Sequence, residues 1–462
     1  MNRRSALAAA CLLAASCSGG GGRAPDLILV SVDTLRADRL PFYGADRDTG
    51  GDPAQPFTPS WLAAQGTVFE TCWSTAGQTL PSLASFWTGV APLEHGATSN
   101  SVPFLAPSRL EGLRPERFEV AHALLANASL AAGCGLERGF DTYGLMVRQD
   151  EARIPAAMLA RTQAAVQEGK RLLAWTHFMV PHQPYAPNEQ LAQRYGPGLG
   201  VPASNKFLYD LHRAGSLDPT LRETVRSLYD AEIFQASAYV SEFLAGLDAQ
   251  YRAAGRGGLL ENAVVVFFAD HGEELADRHG YFMHAKSLYA GVIHVPLVVI
   301  GPGWSAGARR ADALSLADVL PLVLEGRAPA KGPFFAAWQA EFYAVRDERW
   351  TLVHNPAGNP AGPKEPPLDA NYPYPVVGLY DRSVDPLELV NLAAQHPEEA
   401  ARLLRELGTW YAGLRFVDSL AEIADPAVLS ALGYTGSAGG GSPASRIAPL
   451  PADPWPPTPA PR

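Results

Sequence analysis

Asp270 and His271 close an apolar run, Ala263-Val264-Val265-Val266-Phe267-Phe268-Ala269, that is too short to span a bilayer. Asp33 closes another, Leu27-Ile28-Leu29-Val30-Ser31-Val32. Runs of this kind read as strands buried on both faces. Open α/β sheets gather their ligands beyond the carboxyl ends of such strands. A strand-end aspartate alone is more often a turn residue or a helix cap than a ligand. Two carboxylates and an imidazole together are hard to borderline donors. They suit one divalent cation such as Mg²⁺, Ca²⁺, Mn²⁺ or Zn²⁺. Thr79 comes just before Pro81, which suits a first helical turn, and Gly89 is placed to stop that helix. Thr79 therefore stands at a helix N-terminus, where free N–H groups and the positive dipole end favour an anion. A metal site of this kind needs a nucleophile and a substrate pocket from the rest of the chain.

The elements that must position these residues alternate. Thr58-Pro59-Ser60 opens a helix that Gly66 ends, and residues 67–73 alternate as one strand. Residues 118–126 are apolar and read as a strand leading into a helix, with helix and strand both open. Leu172-Leu173-Ala174-Trp175-Thr176-His177-Phe178-Met179 is a core strand that breaks at Pro181-His182-Gln183-Pro184-Tyr185. Residues 219–247 form a long amphipathic helix with Tyr229, Ile233, Tyr239 and Phe243 facing inward. Residues 295–300 are another strand, stopped by Gly301-Pro302-Gly303. This alternation predicts an α/β sheet covered on both faces. After about residue 330 short strands at 334–341, 349–353 and 378–381 precede a helix at 397–414, which predicts a small antiparallel sheet-plus-helix subdomain. The expected division is a leader and tether at 1–22, a catalytic domain at 25–330, the subdomain at 331–435, and a disordered Pro/Gly-rich tail at 436–462.

The composition is 47% hydrophobic and 18% charged, which allows a large core and excludes global disorder. The formal net charge of -10 argues against nucleic acid as a partner. Two of the four cysteines, Cys11 and Cys17, lie in the leader; Cys72 and Cys134 are free to pair or to remain thiols. Asn2-Arg3-Arg4 followed by an apolar stretch and small residues is an export signal. Leu13-Ala14-Ala15-Ser16-Cys17 resembles a bacterial lipobox, with Ala14 where leucine is usual. The expectation is an exported bacterial protein held at the membrane by a lipid on Cys17, in the periplasm or cell envelope. An ordinary secretory signal is the alternative.

The chemical residues also fall into a familiar order. Asp33-Thr34-Leu35-Arg36-Ala37-Asp38, Thr79-Leu80-Pro81-Ser82, Thr88-Gly89, His95-Gly96, Pro181-His182-Gln183-Pro184-Tyr185, Asp270-His271-Gly272-Glu273 and His284-Ala285-Lys286-Ser287-Leu288-Tyr289 resemble, in sequence order, the sulfatase family of the alkaline phosphatase superfamily. Gly139-Phe140-Asp141 and Leu379-Tyr380-Asp381 are similar to its middle and C-terminal signatures. The resemblance spans residues from about 25 to 435. It implies an alkaline-phosphatase-like mixed sheet between helices with a small C-terminal subdomain. It implies that Asp33, Asp270 and His271 bind one metal ion and that Thr79, which also touches the metal, is the nucleophile. Lys286 and His182 would contact the anionic ester, with His284 nearby.

Two departures shape the expected chemistry. Sulfatases of this family use a cysteine or serine oxidised to formylglycine in Cys/Ser-x-Pro-x-Arg. Here Thr79 takes that position and Leu83 the arginine position. A threonyl ester must be cleaved by attack at the central atom, which is usual for phosphorus. The resemblance therefore implies a hydrolase of small phosphate or phosphonate (di)esters, or a phosphotransferase, through a covalent threonyl intermediate. The family's two-zinc relatives need a further Asp-x-x-x-His, which is missing around His182, so one metal is expected. Two alternatives stand: a sulfuric ester hydrolase without formylglycine, and a degenerate protein that holds metal and binds without turnover. Leu83, and Ser237 where an acidic residue is common, favour the last.

Overall fold

The computed structural model describes residues 23–104, 106–278, 282–285, 287–339, 341–356 and 375–416. The leader with Cys17, the tail at 436–462 and Lys286 lie outside them. In chain order the strands are β1 (Asp26–Val32), β2 (Thr67–Phe69), β3 (Cys72–Trp73), β4 (Val120–Leu125), β5 (Thr142–Leu145), β6 (Leu172–Phe178), β7 (Ala263–Ala269), β8 (His294–Val295), β9 (Leu297–Ile300), β10 (Ala308–Arg310), β11 (Leu314–Ser315), β12 (Phe334–Trp338), β13 (Phe342–Arg346), β14 (Trp350–His354) and β15 (Val377–Asp381).

Eight of them make one mixed sheet in the order β10-β2-β9-β7-β1-β6-β4-β5. The neighbours β7, β1, β6 and β4 are mutually parallel, and β9 runs antiparallel to both β7 and β2. β1, β6 and β7 are buried at every position, which explains their continuous apolar sequences. Trp175 of β6 packs on Trp87 at 5.4 Å between ring centres, and Phe268 of β7 stacks on Phe86 at 4.5 Å. Both partners belong to the helix Thr79–Thr88. Phe178, three residues after Trp175 and so on the opposite face, meets Tyr239 of the helix Pro219–Ala253 at 5.8 Å. Helices thus cover both faces, as expected.

Several boundaries differ from the sequence reading, and β13 was not among the strands it gave. Residues 67–73 are two strands: β2 joins the large sheet, and β3 joins a small sheet with β8 and β11. Glu70 sits between them, its N–H donating to Arg310 O and its carbonyl accepting from His294 Nε2. The long helix runs to Ala253, beyond residue 247. Its last turn buries Tyr251, whose hydroxyl bonds the buried Asp26 at the start of β1. Residues 118–126 resolve as β4 followed by a 3₁₀ turn, Ala128–Leu130.

Past residue 330, β12-β13-β14-β15 form an antiparallel meander with the helix Pro397–Gly413 packed on it. Trp73, Leu288, Tyr289 and Val292 share one buried cluster with Trp338, Phe342 and Tyr380. Cys72 and Cys134 are buried free thiols.

Candidate active site

Strand register brings the first ligands together. Val32 of β1 pairs with Ala269 of β7, so Asp33 and Asp270 leave neighbouring parallel strands at the same level. Asp33, Asp270 and His271 are fully buried, and one ligand atom from each lies within 4.8 Å of the others. Gly272 is required behind them: a Cβ there would stand 2.3 Å from the Gly291 carbonyl oxygen.

The hydrogen bonds fix what each ligand offers. His271 Nδ1 is 2.9 Å from Gly272 O, which can only accept, so the proton is on Nδ1 and Nε2 presents its lone pair. Asp270 Oδ1 accepts from the N–H groups of His271 and Thr34. Thr34 is held at φ 54°, a left-handed conformation costly for a β-branched residue, while its carbonyl takes the Tyr229 hydroxyl at 2.6 Å. Asp33 Oδ1 and Asp270 Oδ2, both facing His271 Nε2, are buried without a hydrogen-bond partner. Burial would raise the Asp33 pKa, but the His177 hydrogen bond and the charges of His182, His177 and His271 hold it well below the usual carboxylate range. Burial and the Asp33 charge push Asp270 well up. Two orphaned carboxylate oxygens and one imidazole lone pair fit a single divalent cation, whose charge would let both carboxylates ionise.

The nucleophile candidate reaches this group from a helix. Thr79 is the first residue of the helix Thr79–Thr88, which Gly89 ends at φ 79°. Thr79 Oγ1 lies 3.4 Å from both Asp33 Oδ2 and His271 Nε2. The helix start is anchored twice: Ser82 Oγ donates to Asp270 O at 2.6 Å, and Asn100 Oδ1 accepts the Leu80 N–H at 2.9 Å. Leu83, in the arginine position, is buried among apolar core residues.

His271, His284 and His182 form a file, with ring centres 4.6 Å and 4.9 Å apart. His284 Nδ1 is 2.9 Å from Glu273 Oε1, and His182 Nδ1 donates to Gln183 O at 2.6 Å. Burial lowers His182 to about 4 and lowers His284 well below the ordinary histidine value, and it raises Glu273 to about 7.

Two contributors escaped the sequence reading. His177 of β6 places Nε2 3.2 Å from Asp33 Oδ2, and Ser31 Oγ meets its Nδ1 at 2.9 Å. Trp175 Nε1–H donates to the same Ser31 oxygen, and because the Asp33 carboxylate can only accept, His177 donates Nε2–H to it. Asn127, just past β4, donates to Asp33 Oδ2 at 2.6 Å and to Thr79 Oγ1 at 3.1 Å. Its signal was its place, a polar residue just past the end of a core strand, as Asp33 is. Ser237 is not part of the group; its hydroxyl returns to Phe234 O.

A family model described as Sulfatase matches residues 25–127 and 140–325. Arylsulfatase K of Canis lupus familiaris is 22% identical over 495 residues, covering 86% of each chain. Arylsulfatase K of Bos taurus is 26% identical over 218 residues, 40% of this chain and 36% of that protein. Among solved structures, phosphonate monoester hydrolase SpPMH from Silicibacter pomeroyi superposes with a TM-score of 0.61 at 18% identity, over 85% of this chain and 96% of that one. BT4656, solved with its substrate D-glucosamine-2-N,6-O-disulfate, gives 0.61 at 16% identity, over 84% of this chain and 98% of that one.

Proposed function

This chain belongs to the sulfatase family of metal-dependent ester hydrolases, and we propose that it cleaves phosphate or phosphonate (di)esters with Thr79 as nucleophile. One observation carries the reading: the hydroxyl set against the ligand group is a threonine's, 3.4 Å from both Asp33 and His271. Asp33, Asp270 and His271 would hold the divalent ion, with Thr79 beside it; when bound, such an ion polarises the ester and stabilises negative charge.

The chain's own groups supply the rest. The N-terminus of the helix Thr79–Thr88 turns its positive end to the developing charge. Lys286 is assigned, by the family pattern alone, to an anionic oxygen of the substrate. Glu273 and His284 together hold one shared proton near neutrality. His284 gives Nε2–H to the leaving oxygen and recovers a proton at Nδ1 from Glu273. His182, neutral and with Nδ1 committed to Gln183, offers an Nε2 lone pair to the water that releases the threonyl intermediate.

A sulfate ester is the second reading, favoured by the likeness to arylsulfatase K proteins. Metal-loaded protein is expected to hydrolyse an aryl methylphosphonate faster than the matching aryl sulfate, and Thr79→Ala to abolish both activities. Faster release from the sulfate defeats the phosphorus assignment; full activity in Thr79→Ala defeats the nucleophile.

A further inference from the structure

We propose that Asn127 is a catalytic residue, an N–H donor to the Thr79 oxygen as that oxygen gains and later regains negative charge. The inference rests on Thr79 being the nucleophile. Asn127 is completely buried. Its Oδ1 accepts from Ser129 N at 2.9 Å and from Ser129 Oγ at 2.7 Å. A backbone N–H can only donate, so the carbonyl end of the amide is fixed toward Ser129 and the two N–H bonds toward the site. One reaches Asp33 Oδ2 at 2.6 Å and the other Thr79 Oγ1 at 3.1 Å. The same orientation removes Asn127 from the metal ligands, because an amide NH₂ has no lone pair to give.

A donor set in place before reaction stabilises charge without reorganising. In the first half-reaction the Oγ1–P bond forms and the bond to the leaving alcohol breaks; His284 protonates that alcohol, and the Thr79 proton replaces the one lost by the Glu273–His284 pair. In the second, a water oxygen bonds to phosphorus, the P–Oγ1 bond breaks, and Oγ1 takes a proton from the water. Asn127 keeps its own protons throughout. It serves the same oxygen as it arrives and as it leaves, so both halves slow when it is lost.

Asn127→Ala and Asn127→Asp test this at saturating Mn²⁺, on whichever of the aryl phosphonate and aryl sulfate the wild type cleaves faster. Aspartate keeps the shape and can accept from Ser129, but it has no N–H. Both variants are expected to lose about 10²- to 10³-fold in kcat, the scale of a lost oxyanion donor, with KM changed by less than about threefold. Mn²⁺ affinity of Asn127→Ala, read by the electron spin resonance of the free ion, should stay within about tenfold of wild type. A folded variant of either kind with near wild-type kcat overturns the proposal. So does an Asn127→Ala loss that excess Mn²⁺ restores, because Asn127 would then act only through Asp33. A wild type that prefers the sulfate refutes the phosphorus assignment and leaves the Asn127 comparison to stand or fall by itself.

Discussion

Asp33 is the residue on which most contacts converge. Its Oδ2 meets Asn127, His177 and Thr79, and its Oδ1 is left for a ligand. The Trp175–Ser31–His177 chain behind it has one task, to hold the carboxylate at a fixed angle. Replacing His177 with Phe should therefore weaken divalent-ion binding by about 10- to 100-fold, the usual scale for the partner of a metal ligand. Mn²⁺ titration of metal-free protein checks this, and unchanged affinity would remove His177 from the site. That Asp33, Asp270, His271 and Thr79 meet at one place was legible because the first three follow apolar strands and Thr79 precedes a proline in a first helical turn. His177 was not. Histidine inside an all-buried strand announces only a polar group needing a partner, and the partner is 144 positions away. Asn127 gives no more local signal than any other asparagine after a strand; only the fold sets it against Thr79.

Loop 179–186 carries His182, and three side chains clamp it to the scaffold. Glu151 Oε1 accepts from Met179 N and Val180 N. Arg148 joins His182 O to Glu232, and Glu232 also accepts the Ala186 N–H. Burial lifts the Glu151 pKa from 4.5 to about 8. The folded protein thus binds a proton there that the unfolded chain has lost. Stability from this site is greatest below about pH 4.5 and declines as pH climbs toward 8. Glu151→Gln keeps an oxygen acceptor and carries no charge. Its melting temperature should gain on wild type between about pH 5 and pH 8, by a few degrees for a buried group. A difference that does not change with pH would show that Glu151 is ionised in the fold. None of this clamp was visible in sequence, since Arg148 and Glu151 lie in a short 3₁₀ segment without periodicity. The full length of the helix Pro219–Ala253 was visible in principle. Phe243, Leu247 and Tyr251 keep an i, i+4 stripe, and all three are buried.

The broad architecture was the most legible level of all. The mixed sheet, its two helical coats and the C-terminal meander follow from apolar runs and their spacing. What the spacing could not show is how firmly the last part is joined to the rest. Arg346 of β13 pairs with Glu388 in full burial, and Glu388 also accepts Ala290 N beside the His284 segment. No helix among the described residues is long and apolar enough to cross a membrane. Membrane attachment, in our proposal, comes from the leader: Cys17→Ala should move the protein from the membrane pellet to the soluble extract. A wild type already in the soluble extract would end the lipid-anchor reading. The neighbouring parallel strands β7, β1, β6 and β4 end at one rim, whereas Thr79 arrives there on a helix. The cup that grips the ion and the hydroxyl that attacks are thus inherited on separate pieces of chain. A single codon change at position 79 exchanges the attacking atom and leaves the cup intact, so descendants of this scaffold are free to change the bond they break before they change the metal they hold.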